Sequence, residues 1–165
     1  MSLSHVDDAG RARMVDVGDK AVTRRTAVAE GLVRMSDAAF KRVRENAIAK
    51  GDVLRTAELA GVMGAKRTAE LVPLCHPLAL DVVRVECAAD AGLPGVRIRA
   101  SAVATGRTGV EMEALTAVST ACLTVYDMVK AVDREVVIEG IRLMEKTGGS
   151  RGDWRRERQV PSTTD

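Results

Sequence analysis

With 165 residues, 46% of them hydrophobic, the chain is long enough to bury the core of one domain. Aromatics make up only 2%, so that core has to be built from Val, Leu, Ile, Ala and Met, and no aromatic platform exists for stacking single-stranded nucleic acid. Lys and Arg total 25 against 23 Asp and Glu, a formal charge of +2, which argues against bulk electrostatic binding to DNA or to a membrane surface but not against a local cationic pocket.

The opening "MSLSHVDDAGRARMV" is polar and unlike a signal peptide, and no apolar run approaches the length of a membrane span. Three cysteines, Cys75, Cys87 and Cys122, are an odd number at wide spacings, which suits a reducing cytoplasm better than a disulfide framework. Residues 1–13 and 151–165 are expected to be flexible ends around one domain over 14–150. "TAVAEGLVRM" reads as a first strand. Ser36 is placed to cap a helix whose Phe40, Val43 and Ala47 form an apolar stripe, with Gly51 just after its end. A second helix runs through "TAELAGVMGAKRTAE" and has to finish before Pro73. Gly61 and Gly64 weaken it intrinsically, so close packing against a neighbour is expected to hold it.

"DVVRVECAA" and "GVRIRASAV" alternate with period two across the turn-rich "DAGLPG" and predict a hairpin. Val83, Val85 and Cys87 share one face, while Arg97 and Arg99 point away from Val96 and Ile98. From Val110 to Val132, Leu115, Val118, Cys122, Val125 and Val129 recur at helical spacing. A last strand, "EVVIEGIRLMEK", leads into "TGGSRGD". The order lacks strict βαβ alternation and has a hairpin in its middle, which predicts an α+β layer of antiparallel sheet covered by helices.

The chemistry-bearing stretch is "LVPLCHPLAL", where Cys75 and His76 lie between Pro73 and Pro77 on a segment that cannot be helix interior. No CxxC, HxxxH or carboxylate–histidine spacing completes a metal set, since the second histidine, His5, sits in the N-terminal end and Cys87 and Cys122 belong to apolar stripes. A Cys-His nucleophilic dyad is disfavoured because neighbours in extended chain point to opposite sides. A small buried Cys beside a loop His bonded to backbone accounts for the pair equally well. Lys50 and Lys66 each fit a cation at a helix C-terminus, and Glu111 and Glu113 fit a helix first turn. Asp127 and Lys130, three residues apart, fit an exposed salt bridge.

Three runs change that weighing: "AKGDVLRTAELAGVMGAKRT", "AKRTAELVPLCHPLAL" and "RTGVEMEALTAVSTACLTVYDMVKAV". Together they resemble the cyclic pyranopterin monophosphate synthase family, protein C of molybdenum-cofactor biosynthesis, in order from "MVDV" at Met14 to "TGGSRGDW". The resemblance implies a ferredoxin-like subunit in a homohexamer, a trimer of dimers, with its pocket at the dimer interface. It implies conversion of a 3′,8-cyclised dihydroguanosine triphosphate, derived from GTP, into cyclic pyranopterin monophosphate with release of pyrophosphate. No cofactor, metal, nucleic acid or membrane partner is expected.

Position by position, "LCH" implies that Leu74, Cys75 and His76 line the substrate site. "EME" implies the same of Met112 and Glu113, with Glu111 beside them. "YDMVK" and "AKGD" imply catalytic Asp127, Lys130 and Lys50, and "RRTAVAEG" implies Arg25 in the pocket. Lys66 and Lys146 are expected to join Arg25 and Lys50 in neutralising the leaving pyrophosphate. Two other readings use the same residues or fold: a non-catalytic nucleotide-binding or regulatory oligomer, and an RNA-binding module, which the scarce aromatics argue against.

Overall fold

The computed structural model describes residue 6 and residues 9–157. Its elements run β1 (Thr23–Arg34), α1 (Asp37–Arg44), α2 (Val53–Lys66), α3 (Thr68–Leu71), β2 (Val82–Asp90), β3 (Gly95–Gly106), α4 (Glu111–Val129), β4 (Val137–Thr147) and β5 (Trp154–Arg155). The strands form one sheet in the order β2-β3-β1-β4-β5, with every neighbouring pair antiparallel. This is the split βαβ arrangement of a ferredoxin-like α+β domain, as expected. No helix among the described residues is long and apolar enough to cross a membrane.

One face of the sheet carries the core. Ala27, Ala29 and Val33 of β1 and Val96, Ile98, Ala100, Ala102 and Ala104 of β3 alternate inward and are fully buried or nearly so. Onto them α4 lays Ala114, Ala117, Val118, Ala121, Cys122, Val125 and Val129, all buried. Small residues let the layers approach: a Cβ at Gly31 would lie 2.7 Å from Val118 Cγ1 and 3.2 Å from Cys122 Sγ. The opposite face is polar, with Glu30 bridged to Arg142 and Asp90 to Arg97.

Local chemistry sets the helix ends. The Ser36 hydroxyl accepts from Ala39 N–H, as expected of a cap. The helix it starts is shorter than the sequence predicts. Asn46 takes a left-handed conformation (φ 51°), Asn46 N–H donates to Val43 O, and Ala47 N–H donates to Arg42 O. That is a Schellman ending at Arg44, so Ala47 lies outside the helix and is exposed, and Ile48 enters the core instead. The second helix starts earlier than predicted because the Asp52 carboxylate caps it through Arg55 N–H. It also breaks at Arg67, so its predicted last turn stands apart as α3.

Gly61 and Gly64 are where α2 meets α4. A Cβ at Gly61 would sit 3.0 Å from Ala117 O, and one at Gly64 would overlap Thr120 Oγ1. Alanine in a helix interior is normally favoured over glycine by about 1 kcal/mol. At position 64 overpacking opposes that gain, at a typical cost of about 1–3 kcal/mol. Gly64→Ala is therefore expected to lower the urea midpoint, and Thr120→Ala in the same chain to recover part of the loss; an unchanged or higher midpoint for Gly64→Ala would show that the helices can move apart freely.

Candidate active site

The functional side chains expected from the sequence gather at the two ends of α4. At its C-terminal end, Lys50 comes from the turn between α1 and α2. That turn is fixed on both sides: Ile48 is buried in the core, Gly51 N–H donates to Ile48 O, and Asp52 caps α2. Lys50 Nζ lies 2.6 Å from Asp127 Oδ2 and 2.9 Å from Asp127 O. Lys130 Nζ reaches the other carboxylate oxygen, Oδ1, at 2.7 Å. Lys50 therefore does serve a helix C-terminus, but that of α4, whose last carbonyls lack intrahelical partners.

One carboxylate is thus shared by two ammonium groups. Hydrogen bonds from Lys130 and then Lys50 hold Asp127 down to about 2, and the same contact with Asp127 raises Lys130. All three side chains remain about half exposed. A lone surface pair of this kind contributes little to folding. Chemically, the cluster offers two fixed cations and one carboxylate to an incoming anion.

The N-terminal end of α4 carries the second group. Pro73 sits at the first central position of a turn closed by Cys75 N–H to Val72 O, which follows α3 directly. Pro77 keeps His76 out of helical conformation. The turn aims Cys75 Sγ at Glu113 Oε1, 3.9 Å away, with Leu74 and His76 half-buried beside it. Glu111, one turn edge away on α4, pairs with Lys146 of β4 at 2.8 Å, in a contact where both side chains are about three-quarters buried. Arg25 of β1 donates from Nε to Gly106 O (3.0 Å) and from Nη2 to Arg107 O (3.2 Å), the strand end and loop that lead into α4.

Glu113 is the anomaly. It is 2% exposed, and its Oε2 is buried without a hydrogen-bond partner among the described residues. Burial raises its carboxyl above the ordinary range, with the Glu111 charge adding to the effect, and burial likewise pushes the Cys75 thiol up. A raised thiol facing an acid is a poor nucleophile. Among the described residues no group of three or more His, Cys, Asp or Glu side chains is placed to hold a metal, and His5 lies outside the described residues.

Two expected residues stand apart from these contacts. Met112 projects outward from the first turn of α4, and Lys66 is exposed at the end of α2. The Glu111–Lys146 pair is 35 residues apart in sequence. Sequence reasoning named both partners without joining them, because they meet only where α4 packs over the sheet, with Lys146 placed opposite the buried Ala27 of β1.

Glu113 has a consequence for stability. Its folded carboxyl titrates above its unfolded value, so the folded state holds the extra proton and the associated stability is complete below about pH 4.3. It is lost as pH rises through the raised folded value. Glu113→Gln removes that loss, so its melting temperature is expected to gain on wild type as pH goes from 4.5 to 7.5. Parallel melting curves across this range would show that Glu113 ionises normally.

Comparison with known proteins places the chain in a family. The model of the MoaC family matches residues 14–149. The chain is 63% identical over 153 residues to the cyclic pyranopterin monophosphate synthase of Methylobacterium sp. (strain 4-46), covering 93% of this chain and 96% of that one. Its identity to the protein of the same name from Methylobacterium nodulans is 61% over 156 residues, covering 94% and 98%. For the Brucella ovis protein, again of that name, it is 59% over 152 residues and 92% of each chain. A match of this extent, running through both groups of side chains on α4, means that the chain belongs to the MoaC family.

Proposed function

We propose that this protein is a cyclic pyranopterin monophosphate synthase of molybdenum-cofactor biosynthesis. It converts the 3′,8-cyclised dihydroguanosine triphosphate to cyclic pyranopterin monophosphate and pyrophosphate. The observation that carries the reading is the Lys50–Asp127–Lys130 cluster, in which all three expected catalytic side chains meet within hydrogen-bonding distance. Family relatives bearing this name match over more than nine-tenths of the chain.

The cluster's electrostatics divide the labour. Asp127, held near 2, is too weak a base to take protons at neutral pH, so its part is to fix both lysines. Lys130, raised by Asp127, is a weak acid that stays an ammonium group until a strongly basic centre, a developing alkoxide or ring amide anion, forms beside it and takes the proton. Lys50 shares that acid-base work or meets a phosphate oxygen. In the phosphate step a sugar hydroxyl attacks the innermost phosphorus, a new P–O bond forms, the hydroxyl proton passes to a base, and pyrophosphate departs with the old bridging oxygen. Its charge is met by Arg25, Lys66 and Lys146. Leu74, Cys75, His76, Glu111, Met112 and Glu113 line the site at the same N-terminal end of α4, where Lys146 pairs with Glu111.

Glu113 and Asp127 stand fourteen residues apart on a continuous helix, so about 21 Å separates them at 1.5 Å per residue. A compact nucleotide cannot touch both. The active site is therefore formed at a dimer interface, with each chain giving its Glu113 end to one site and its Lys130 end to the other. The assembly is a homohexamer built as a trimer of dimers. Free Cys75, Cys87 and Cys122 suit a cytoplasmic enzyme.

The direct test is incubation with the cyclised triphosphate, followed by detection of pyrophosphate and a cyclic-phosphate pterin. Lys130→Ala, by removing a group that moves protons, and Asp127→Asn, by releasing the two lysines it positions, are each expected to lower turnover by at least about a hundredfold, while circular dichroism and melting stay close to wild type. Binding of the triphosphate without turnover by the wild-type protein would favour a non-catalytic nucleotide-binding oligomer. A fully active Lys130→Ala protein would return the pair to a surface salt bridge.

A further inference from the structure

The segment between β4 and β5, "TGGSRGD", is a closed turn. Gly148 N–H donates to Asp153 Oδ1 at 3.0 Å, and Gly152 N–H donates to Gly149 O at 3.2 Å. Both ends are anchored. The Thr147 hydroxyl meets the Thr26 hydroxyl of β1 at 2.6 Å, and Lys146 pairs with Trp154 across the β4–β5 ladder. This gives the two-residue strand β5, at the very margin of the sheet, a purpose: it holds the far end of the turn.

Two consecutive left-handed glycines bring the turn onto the start of β1. Gly148 and Gly149 both have φ near +85°. A Cβ at Gly148 would overlap the backbone oxygen of Arg24, so there the requirement is backbone on backbone. At Gly149 the neighbour is different. Its Cβ would overlap Nη1 of Arg25 and lie 3.1 Å from Cζ. Gly149 thus covers one side of a guanidinium whose Nε and Nη2 are already donated to Gly106 O and Arg107 O. Carbonyls of the β3–α4 connection fix one edge of the group, and the glycine leaves space for Nη1 alone.

We infer that the turn is a positioning device for Arg25, with Gly149 setting where the guanidinium lies and Asp153 holding Gly149 in place. Its effect is on affinity for the phosphate end of the ligand. Gly149 and Asp153 are positioning residues, since neither offers a side chain to an anion. The inference rests on the proposed role of Arg25 in meeting phosphate.

The test is a double-mutant cycle on the full chain, read by calorimetry with inorganic pyrophosphate and by steady-state kinetics with the cyclised triphosphate. Loss of one charge-assisted contact is worth about tenfold in affinity. Gly149→Ala in the wild-type background is expected to weaken pyrophosphate binding and raise KM by about that factor, with kcat within about twofold. In an Arg25→Ala background the same substitution is expected to change either constant by less than about twofold, because the group it displaces is gone. Asp153→Ala is expected to follow Gly149→Ala, and Asp153→Asn, which keeps an acceptor for Gly148 N–H, to restore near-wild-type affinity; this pair serves if Gly149→Ala does not fold. Equal losses in both backgrounds would overturn the positioning role and leave Arg25 as a phosphate ligand. An Arg25→Ala protein that binds pyrophosphate as wild type does would overturn the positioning role together with the assignment of Arg25.

Discussion

Contact between α4 and its neighbours is possible only because glycine stands at the crossing points. Gly31 lets the helix lie on β1 against Val118 and Cys122, and Gly61 and Gly64 let α2 close on Ala117 and Thr120. With a core that is rich in alanine and valine and almost free of aromatics, small side chains produce thin layers and close approach. The result is a continuous helix from Glu111 to Val129 packed closely on both sides. Lys66 apart, the charged groups assigned to the chemistry are placed by reference to this helix. Lys50 is brought to its C-terminal end by a turn pinned in the core, and Cys75, Arg25 and Lys146 are brought to its N-terminal end by a proline turn and two adjacent strands.

The two ends differ in how they handle charge. At the C-terminal end a carboxylate that the helix dipole disfavours is stabilised by two lysines, and all three groups stay in solvent. At the N-terminal end, where the dipole favours carboxylates, Glu111 is paired with Lys146 while Glu113 is buried with no cation of its own among the described residues. An unpaired polar atom in that position costs about 1–3 kcal/mol. A fold does not retain such a group for stability. On the proposed reading, the loss is the cost of keeping a carboxyl whose titration is raised by burial beside the substrate, at one end of a site whose other end carries fixed cations.

Much of this was legible in the sequence, for identifiable reasons. Period-two alternation exposed β2 and β3, the helical stripe from Leu115 to Val129 exposed α4, and the glycines of α2 announced close packing before any neighbour was known. Errors fell at boundaries set by single residues: Asn46 ended α1 with a left-handed conformation that any helix propensity would have passed over, and Asp52 started α2 early. Among the site residues, Asp127 and Lys130 were visible as an i, i+3 pair, but the part of Lys50 depends on a contact across 77 residues. The closure of "TGGSRGD" onto Arg25 was not legible either. It depends on β5, a strand of two residues with no pattern of its own.

On the proposed reading, the two ends of α4 serve different sites of one dimer. Complementation between inactive variants checks this most directly. Glu113→Ala and Lys130→Ala each disable every site in a homo-oligomer. A mixed dimer carries one site with both defects and one with none. Co-refolding equal amounts of the two, with hetero-oligomers verified by mass spectrometry, is predicted to restore activity towards about a quarter of wild type if chains assort randomly and sites act independently. Verified mixed oligomers that remain inactive would contradict the account and place the whole site within a single chain.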